Sequence, residues 1–340
     1  MTPAIFGMAG ATLSADERAF FKDADPAGYI LFGRNCVDRD QLRALTDDLR
    51  TIHGRDRLFV SIDQEGGRVA RLRPPHWSAY PSGQAFDELY QTAPVSAIEA
   101  ARAGAEAMAL ELSAMGITVD FHAPLDVRRP ETDQAIGDRA LGSSPMQVAA
   151  LGRAVLDGMT SGGVAGCLKH MPGHGRATAD SHFELPIVDA SAEELESDIS
   201  PFRELSSKAS IGMSAHIVFP AWDEANPATL SAIVIENIIR QRIGFDGLLL
   251  TDDIDMQALE GTVPERSLRA QAAGCDIVLN CWAKMDDMIA IADQLPSMTE
   301  VTSARLERAL EGTLVREDTG NHAELLATRD ALLELAGEAA

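Results

Sequence analysis

Short apolar runs recur along the chain, each giving way to a polar or glycine-rich stretch and then to a segment of helical period. They fall at residues 4–8, 29–32, 58–62, 118–121, 166–168, 211–214, 247–250 and 277–279. The runs are nearly continuously apolar, the pattern of strands covered on both faces. Between them, helix edges are readable. Asp38 is placed to cap a helix whose Leu42, Leu45, Leu49 and Ile52 share one face. Ser144-Pro145 opens another, which Gly162-Gly163 closes. Ser191 with Glu194 has the spacing of a capping box, and a helix from Ser231 is expected to bury Ile235, Ile238 and Ile239 before stopping at Gly244. Eight strand-helix alternations predict a parallel sheet wrapped by helices, and eight is the number that closes a barrel. The expected fold is α/β, a single (β/α)8 TIM-type barrel over residues 1–340 with a short C-terminal helical extension. Residues 301–340 are expected to hold two helices, the eighth barrel helix and that extension. A doubly wound sheet is the rival, but no GxGxxG follows the first strand.

Composition narrows the setting. With 46% hydrophobic and 24% charged residues in a chain of 340, the profile is that of a soluble globular protein. Acidic residues outnumber basic ones by 52 to 29, and a formal charge of -23 repels phosphate backbones, so nucleic acid is not an expected partner. Cys36, Cys167, Cys275 and Cys281 lack CxxC spacing and lie mostly in apolar runs, as buried thiols of a reducing compartment do. The opening MTPAIFGMAG lacks the basic leader of a secretory signal, and no apolar run reaches the about 18 residues of a membrane helix. A cytoplasmic protein without membrane insertion is expected, with a monomer as the default.

Barrel enzymes draw their catalytic side chains from the C-terminal strand ends. Polar residues gather there. After the third run stand Asp63-Gln64-Glu65-Gly66-Gly67-Arg68 and Arg71; after the fourth, Asp120, His122, Asp126 and Gly137-Asp138-Arg139. The fifth is followed by Lys169, His170 and a loop bearing His174, Asp180 and His182; the sixth by His216, the seventh by Thr251-Asp252-Asp253. Each has a plainer reading alone: aspartates cap helices, Gly66-Gly67 makes a turn, Lys169 forms an ion pair with Asp63 or Asp120. Their gathering on one rim is what those readings leave unexplained. Three chemistries fit. A Schiff base on Lys169 requires an apolar pocket, which His170 and the surrounding charges oppose. His170, His174 and His182 as metal ligands lack an HExxH helix to preorganise them. The third is glycoside cleavage by a carboxylate nucleophile and a separate proton donor.

KHMPGHGRATADSH, IDQEGGRVARL, YILFGRN, SAHIVFP and TDDIDM together resemble the family 3 glycoside hydrolases, and more narrowly the bacterial β-N-acetylglucosaminidases of cell-wall recycling. The similarity runs from the first strand to about Asn280. It implies a retaining exo-enzyme, without cofactor or metal, that removes terminal non-reducing β-linked N-acetylglucosamine (GlcNAc) through a covalent glycosyl-aspartate. The implied partner is a small oligosaccharide, a GlcNAc-1,6-anhydroMurNAc muropeptide. The resemblance puts the nucleophile on Asp252, the acid/base on His182 and its orienting partner on Asp180; substrate binding falls on Asp63, Arg71, Arg139, Lys169 and His170. Ile254 and Asp255 depart from the family's leucine and serine, and Met171 replaces an aromatic. Asp255 is expected to point away from the nucleophile, whose pKa it would otherwise raise. His216 is expected behind the site, His174 to shape the loop, and Asp253 to hold neighbouring backbone or a lysine. The glycines bounding the His182 loop, Gly173 and Gly175, suggest that it swings in over bound substrate. A GlcNAc phosphorylase remains an alternative, since a neutral histidine repels phosphate less than a carboxylate does. A non-catalytic sugar-binding barrel is the other, against which stand both halves of a cleavage apparatus.

Overall fold

The computed structural model describes residues 1–55 and 57–338. Its strands are β1 Thr2–Gly7, β2 Pro26–Leu31, β3 Phe59–Ile62, β4 Val119–Asp120, β5 Ala165–Met171, β6 Ile211–Ser214, β7 Val218–Phe219, β8 Asp223–Pro227, β9 Leu248–Asp253 and β10 Ile277–Asn280. Eight of them close into a parallel barrel in the order β1-β10-β9-β6-β5-β4-β3-β2, while β7 and β8 form a separate antiparallel pair. Every expected run lies on a barrel strand. Alternate residues face two different cores. Ile5, Ile30, Phe59, Phe121, Ile211 and Leu250 fill the barrel, whereas Ala4, Phe6, Tyr29, Leu31, Val60 and Ile62 pack outward under the helices. Apolar residues on both faces explain why the runs are continuous. β2 begins earlier than expected because Pro26-Ala27-Gly28 reads as a turn. Proline is tolerated as a first strand residue, and Gly28 lies so close to the next strand that a Cβ would stand 2.5 Å from the Phe59 carbonyl oxygen.

The helices are α1 Ala15–Ala24, α2 Arg39–His53, α3 Gly83–Thr92, α4 Pro94–Ala114, α5 Pro145–Gly162, α6 Glu196–Leu205, α7 Val263–Ala273, α8 Met285–Gln294, α9 Glu300–Ala309 and α10 His322–Glu338. Asp38 caps α2, accepting the Gln41 N–H at 2.8 Å. α5 has the expected bounds, ending where Gly163 takes a φ of 89°. The Ser191–Glu194 box forms, but it opens a series of turns and α6 itself begins at Glu196. The helix after Ser231 runs over Val234–Arg242 with π-type winding, the Ile243 N–H reaching the Ile238 carbonyl at 2.8 Å.

One assignment needs correcting. Residues 301–340 do contain α9 and α10, but neither is the eighth barrel helix. α8 holds that place, packed against α7, β1 and α1. It buries only Met288 and Ile291, too thin a stripe to stand out in sequence. α9 instead sends Leu306, Ala309 and Leu310 to join Ala27 and Phe59, closing the barrel floor at the end where strands begin. α10 lies on α4, which α3 and α5 also flank. Such surroundings explain why α4 is buried nearly all round.

Candidate active site

The C-terminal strand ends enclose a cavity of about 330 Å³, and Asp63, Arg71, Arg139, Lys169, His170, Asp180, His182 and Asp252 all line it. At its centre is an ion network. Lys169, on β5, is buried with its ammonium 2.6 Å from Glu65 and 3.1 Å from Asp63, both just past β3. Arg139 grips Glu65 through bonds of 2.8 and 2.7 Å, and Arg71 reaches Asp63 at 3.2 Å. Burial alone would discharge Lys169, but Glu65 and Asp63 more than offset it and raise its pKa. Glu65, also buried, is held well below the carboxylate range by Arg139 and Lys169. A lysine kept charged is a poor carbonyl nucleophile, so Schiff-base chemistry has no support. Its partners are Asp63 and Glu65, not Asp120, which accepts the Gln64 N–H at 2.9 Å and whose pKa burial drives well up.

His170 at the end of β5 and His174 and His182 in the loop after it go to three different partners. His170 donates Nδ1–H to Asp126 Oδ2 at 2.8 Å, while Asp126 Oδ1 takes the His174 N–H at 2.7 Å. His174 is buried beside Ser181, with Nε2 3.4 Å from the hydroxyl. His182 donates Nδ1–H to Asp180 Oδ1 at 2.7 Å, and the same oxygen accepts its backbone N–H at 2.9 Å. Among the described residues, no group of three histidine, cysteine or acidic side chains is placed to hold a metal. The His182 ring is 62% exposed, so its far nitrogen is open to the cavity. Partial burial would raise the Asp180 carboxyl, but the two bonds from His182 prevail and lower it.

The glycines of this loop have a packing reason. A Cβ on Gly175 would fall 2.0 Å from the Val127 carbonyl oxygen, and one on Gly173 3.2 Å from Asp198 Cβ. Close approach accounts for Gly175 and a φ of +140° for Gly173, so both glycines have a local backbone reason. Farther along, the Ser181 and His182 carbonyls accept the Ala258 and Gln257 N–H groups, each at 3.3 Å, which ties the loop to the segment after β9.

β9 carries Asp252 to the cavity. Burial would raise its carboxyl, but the imidazoles of His170 and His216 and the Asp253 N–H at 2.8 Å bring it down to about 2. It is ionised at any ordinary pH. Its neighbour Asp253 is the opposite case: burial, Asp255 and Asp252 push it up to about 7. Asp253 accepts the Asp255 and Cys281 N–H groups, both at 3.2 Å, and the Trp282 indole N–H at 3.1 Å, so it holds backbone as expected and a tryptophan in place of a lysine. Asp255 turns to Asn280 and Lys284, away from the cavity. His216 sits behind, paired with Thr229 Oγ1 at 2.8 Å and donating to the Asp253 carbonyl at 3.0 Å.

The split between the paired aspartates has a measurable consequence. Folded Asp253 keeps its proton to about pH 7, whereas the unfolded chain releases it near about 3.9. Rising pH therefore favours the unfolded state progressively from about pH 4 to 7, and no further above. Asp253→Asn cannot ionise. The Tm of this variant minus that of the wild type is expected to grow between pH 4 and 7 and then level, by scanning fluorimetry across that range. A difference independent of pH would contradict the assignment.

Glu65 and Asp126, neither singled out from the sequence as a site residue, prove central: one neutralises Lys169 and Arg139, the other orients His170. Phe32 is also on the wall, its ring flanked by Arg34 at 4.7 Å and Arg71 at 5.2 Å.

Residues 5–314 match the family model described as glycosyl hydrolase family 3 N terminal domain. A beta-hexosaminidase of Aromatoleum aromaticum is 35% identical over 311 residues, covering 90% of this chain and 86% of its own. One of Tolumonas auensis is 38% identical over 286 residues, 83% of each chain. Among solved structures, NagZ from Neisseria gonorrhoeae in complex with N-trifluoroacetyl-D-glucosamine is similar with a TM-score of 0.89 at 31% identity, covering 98% of both chains.

Proposed function

Since this chain belongs to glycosyl hydrolase family 3, we propose that it is a retaining exo-β-N-acetylglucosaminidase with Asp252 as nucleophile, His182 as acid/base and Asp180 as the residue that orients His182. One observation carries the reading: an ionised carboxylate from β9 and an aspartate-bonded imidazole from the loop after β5 line the same cavity. The hexosaminidase names of the relatives and the amino-sugar bound in the gonococcal structure support GlcNAc as the sugar removed.

The chemistry runs in two steps. Asp252 attacks the anomeric carbon while His182 gives its Nε2 proton to the departing glycosidic oxygen, leaving a glycosyl ester and a neutral imidazole. Water then attacks the anomeric carbon and passes a proton to His182, the bond from that carbon to the Asp252 oxygen breaks, and the sugar is released with both groups restored. A histidine suits this exchange because it is acid and base near neutrality. Asp180 fixes the tautomer and the ring's orientation by accepting the Nδ1–H hydrogen bond. Asp63, held between Lys169 and Arg71, is a fixed acceptor for sugar hydroxyls; Lys169 and Arg139 supply donors, and His170 presents its far edge. The cavity has room for one sugar ring, as exo cleavage requires. The natural substrate we take to be the GlcNAc-1,6-anhydroMurNAc muropeptides of peptidoglycan recycling, which the sequence motifs imply. Four unpaired cysteines accord with a reducing, cytoplasmic setting.

Product analysis tests the reading. Incubated with an aryl β-GlcNAc or with GlcNAc-1,6-anhydroMurNAc and followed by proton NMR, the protein is expected to release the β-anomer first, at a rate indifferent to phosphate. Appearance of the α-anomer first would refute retention, GlcNAc-1-phosphate would make the protein a phosphorylase, and no turnover at all would leave a sugar-binding barrel.

A further inference from the structure

Residues 64–82 bring Arg71 to the cavity wall and Glu65 beneath it, against Lys169 and Arg139, with no regular element beyond an isolated bridge between Gly66 and Val69. What they lean on must set their course. The last part, residues 79–81, runs between two surfaces. On the inner side the Tyr80 carbonyl accepts the Gly67 N–H at 2.8 Å. The Pro81 carbonyl oxygen stands 2.1 Å from where a Cβ on Gly66 would sit, and Gly66 has a φ of +96°. Gly83, just beyond, lies against the Arg139 carbonyl, its Cβ position 2.3 Å from that oxygen.

On the outer side is α10. Its Arg329 is only 6% exposed. The guanidinium donates to the Ala79 carbonyl at 3.2 Å and lies 5.4 Å from the centre of the Tyr80 ring, while its stem crosses α4 at Gly104, where a Cβ would meet Cδ at 3.1 Å. At the head of the same helix, His322 Nε2 is 3.1 Å from the Tyr80 hydroxyl. The charge partner of Arg329 is Asp330, 58% exposed. An ion pair of that kind forms equally well at the surface, where it is worth little, so it does not explain why a guanidinium is buried. What burial adds is the contact with residues 79 and 80.

We propose that Arg329 is a positioning residue for the sugar site: by fixing residues 79–81 it holds the Gly66-Gly67 turn and the Arg139 backbone, and so keeps Arg71 and Arg139 in place around the substrate and Glu65 in place beneath Lys169 and Arg139. The inference rests on reading the cavity as that of a GlcNAc-removing enzyme. It assigns a role to a helix that lies beyond residues 5–314, the part matched by the family model.

Arg329→Met keeps the stem and loses the donors; Arg329→Lys restores one donor and the charge without the fork. On an aryl β-GlcNAc substrate, well below Tm, the Met variant is expected to raise KM about tenfold, a fraction of the roughly 100-fold that a 1 Å misplacement costs. Its kcat should fall by less than about threefold, the split of groups that bind ground and transition states alike. The Lys variant should recover part of the loss. A lowered Tm with KM and kcat both unchanged makes Arg329 merely structural and overturns the inference. Should the Met variant not fold, the Lys variant decides alone: KM raised a few-fold supports the assignment, and KM unchanged refutes it. An inactive wild type would sink the glycosidase reading instead. GlcNAc affinity by calorimetry then tests Arg329 separately, about tenfold weaker binding in the Met variant being expected and equal binding overturning it.

Discussion

Asp252→Ala is expected to lower kcat at least about 10⁴-fold, the scale on which removal of a covalent nucleophile acts, while leaving the barrel folded. At about 1.4 kcal/mol per decade this is more than about 5 kcal/mol of lost transition-state stabilisation. The fold should survive because the hydrogen bond Asp252 accepts is local, from the Asp253 N–H, and the ladders on either side of β9 are made by backbone alone. A fluorinated GlcNAc glycoside with a good leaving group should trap the ester on the wild type. Peptide mapping by mass spectrometry is then expected to find the added mass on Asp252. The neighbouring carboxyl sits at about 7 and is engaged by three donors, so it is a poor candidate for attack on carbon. A label on Asp253 would nevertheless reverse the assignment of the pair.

His182→Ala should discriminate between leaving groups. For a sugar aglycone, which departs only when protonated, kcat/KM is expected to fall about 10²- to 10⁴-fold, the usual worth of a general acid. For a dinitrophenyl glycoside, whose leaving group needs no proton, kcat/KM should change by less than about tenfold and the slow step becomes hydrolysis of the ester. Added azide, which attacks without a general base, should then restore turnover and give the β-glycosyl azide. Equal losses on both substrates, with no azide rescue, would mean that His182 is not the proton donor. The imidazole reaches the cavity with one nitrogen committed to Asp180 and the other free, the condition the role demands.

Much of this was legible in sequence because strand ends are punctuated. Asp63 and Lys169 follow an apolar run directly and Asp252 follows one after a single threonine, so a barrel topology places them on one rim without knowledge of any contact. Asp180 and His182 are two residues apart, and their bond is local. Glu65 and Asp126 were harder. Each acts on a partner more than 40 residues distant, and in sequence an acidic residue before a glycine pair or after a strand looks the same whether it makes a turn or neutralises a buried lysine. The glycines are ambiguous for a related reason: close approach to Val127, or a positive φ beside Asp198, leaves the same mark on the chain as a hinge. α8 was missed because a short, half-exposed helix needs only two buried side chains. Arg329 could not have been suspected at all, since its partners are a carbonyl and a ring some 250 residues earlier.

The helix at the barrel floor bears on the order in which products depart. With Leu306 and Leu310 stopping one end and bulky side chains filling the interior, the cavity is a cul-de-sac; under the proposed exo cleavage the glycone goes in first and the rest of the substrate stays at the threshold. On that proposal, bond cleavage would free the outer fragment at once, whereas the inner sugar would have to leave by the door through which it came. While it lingers there, no second substrate can be admitted.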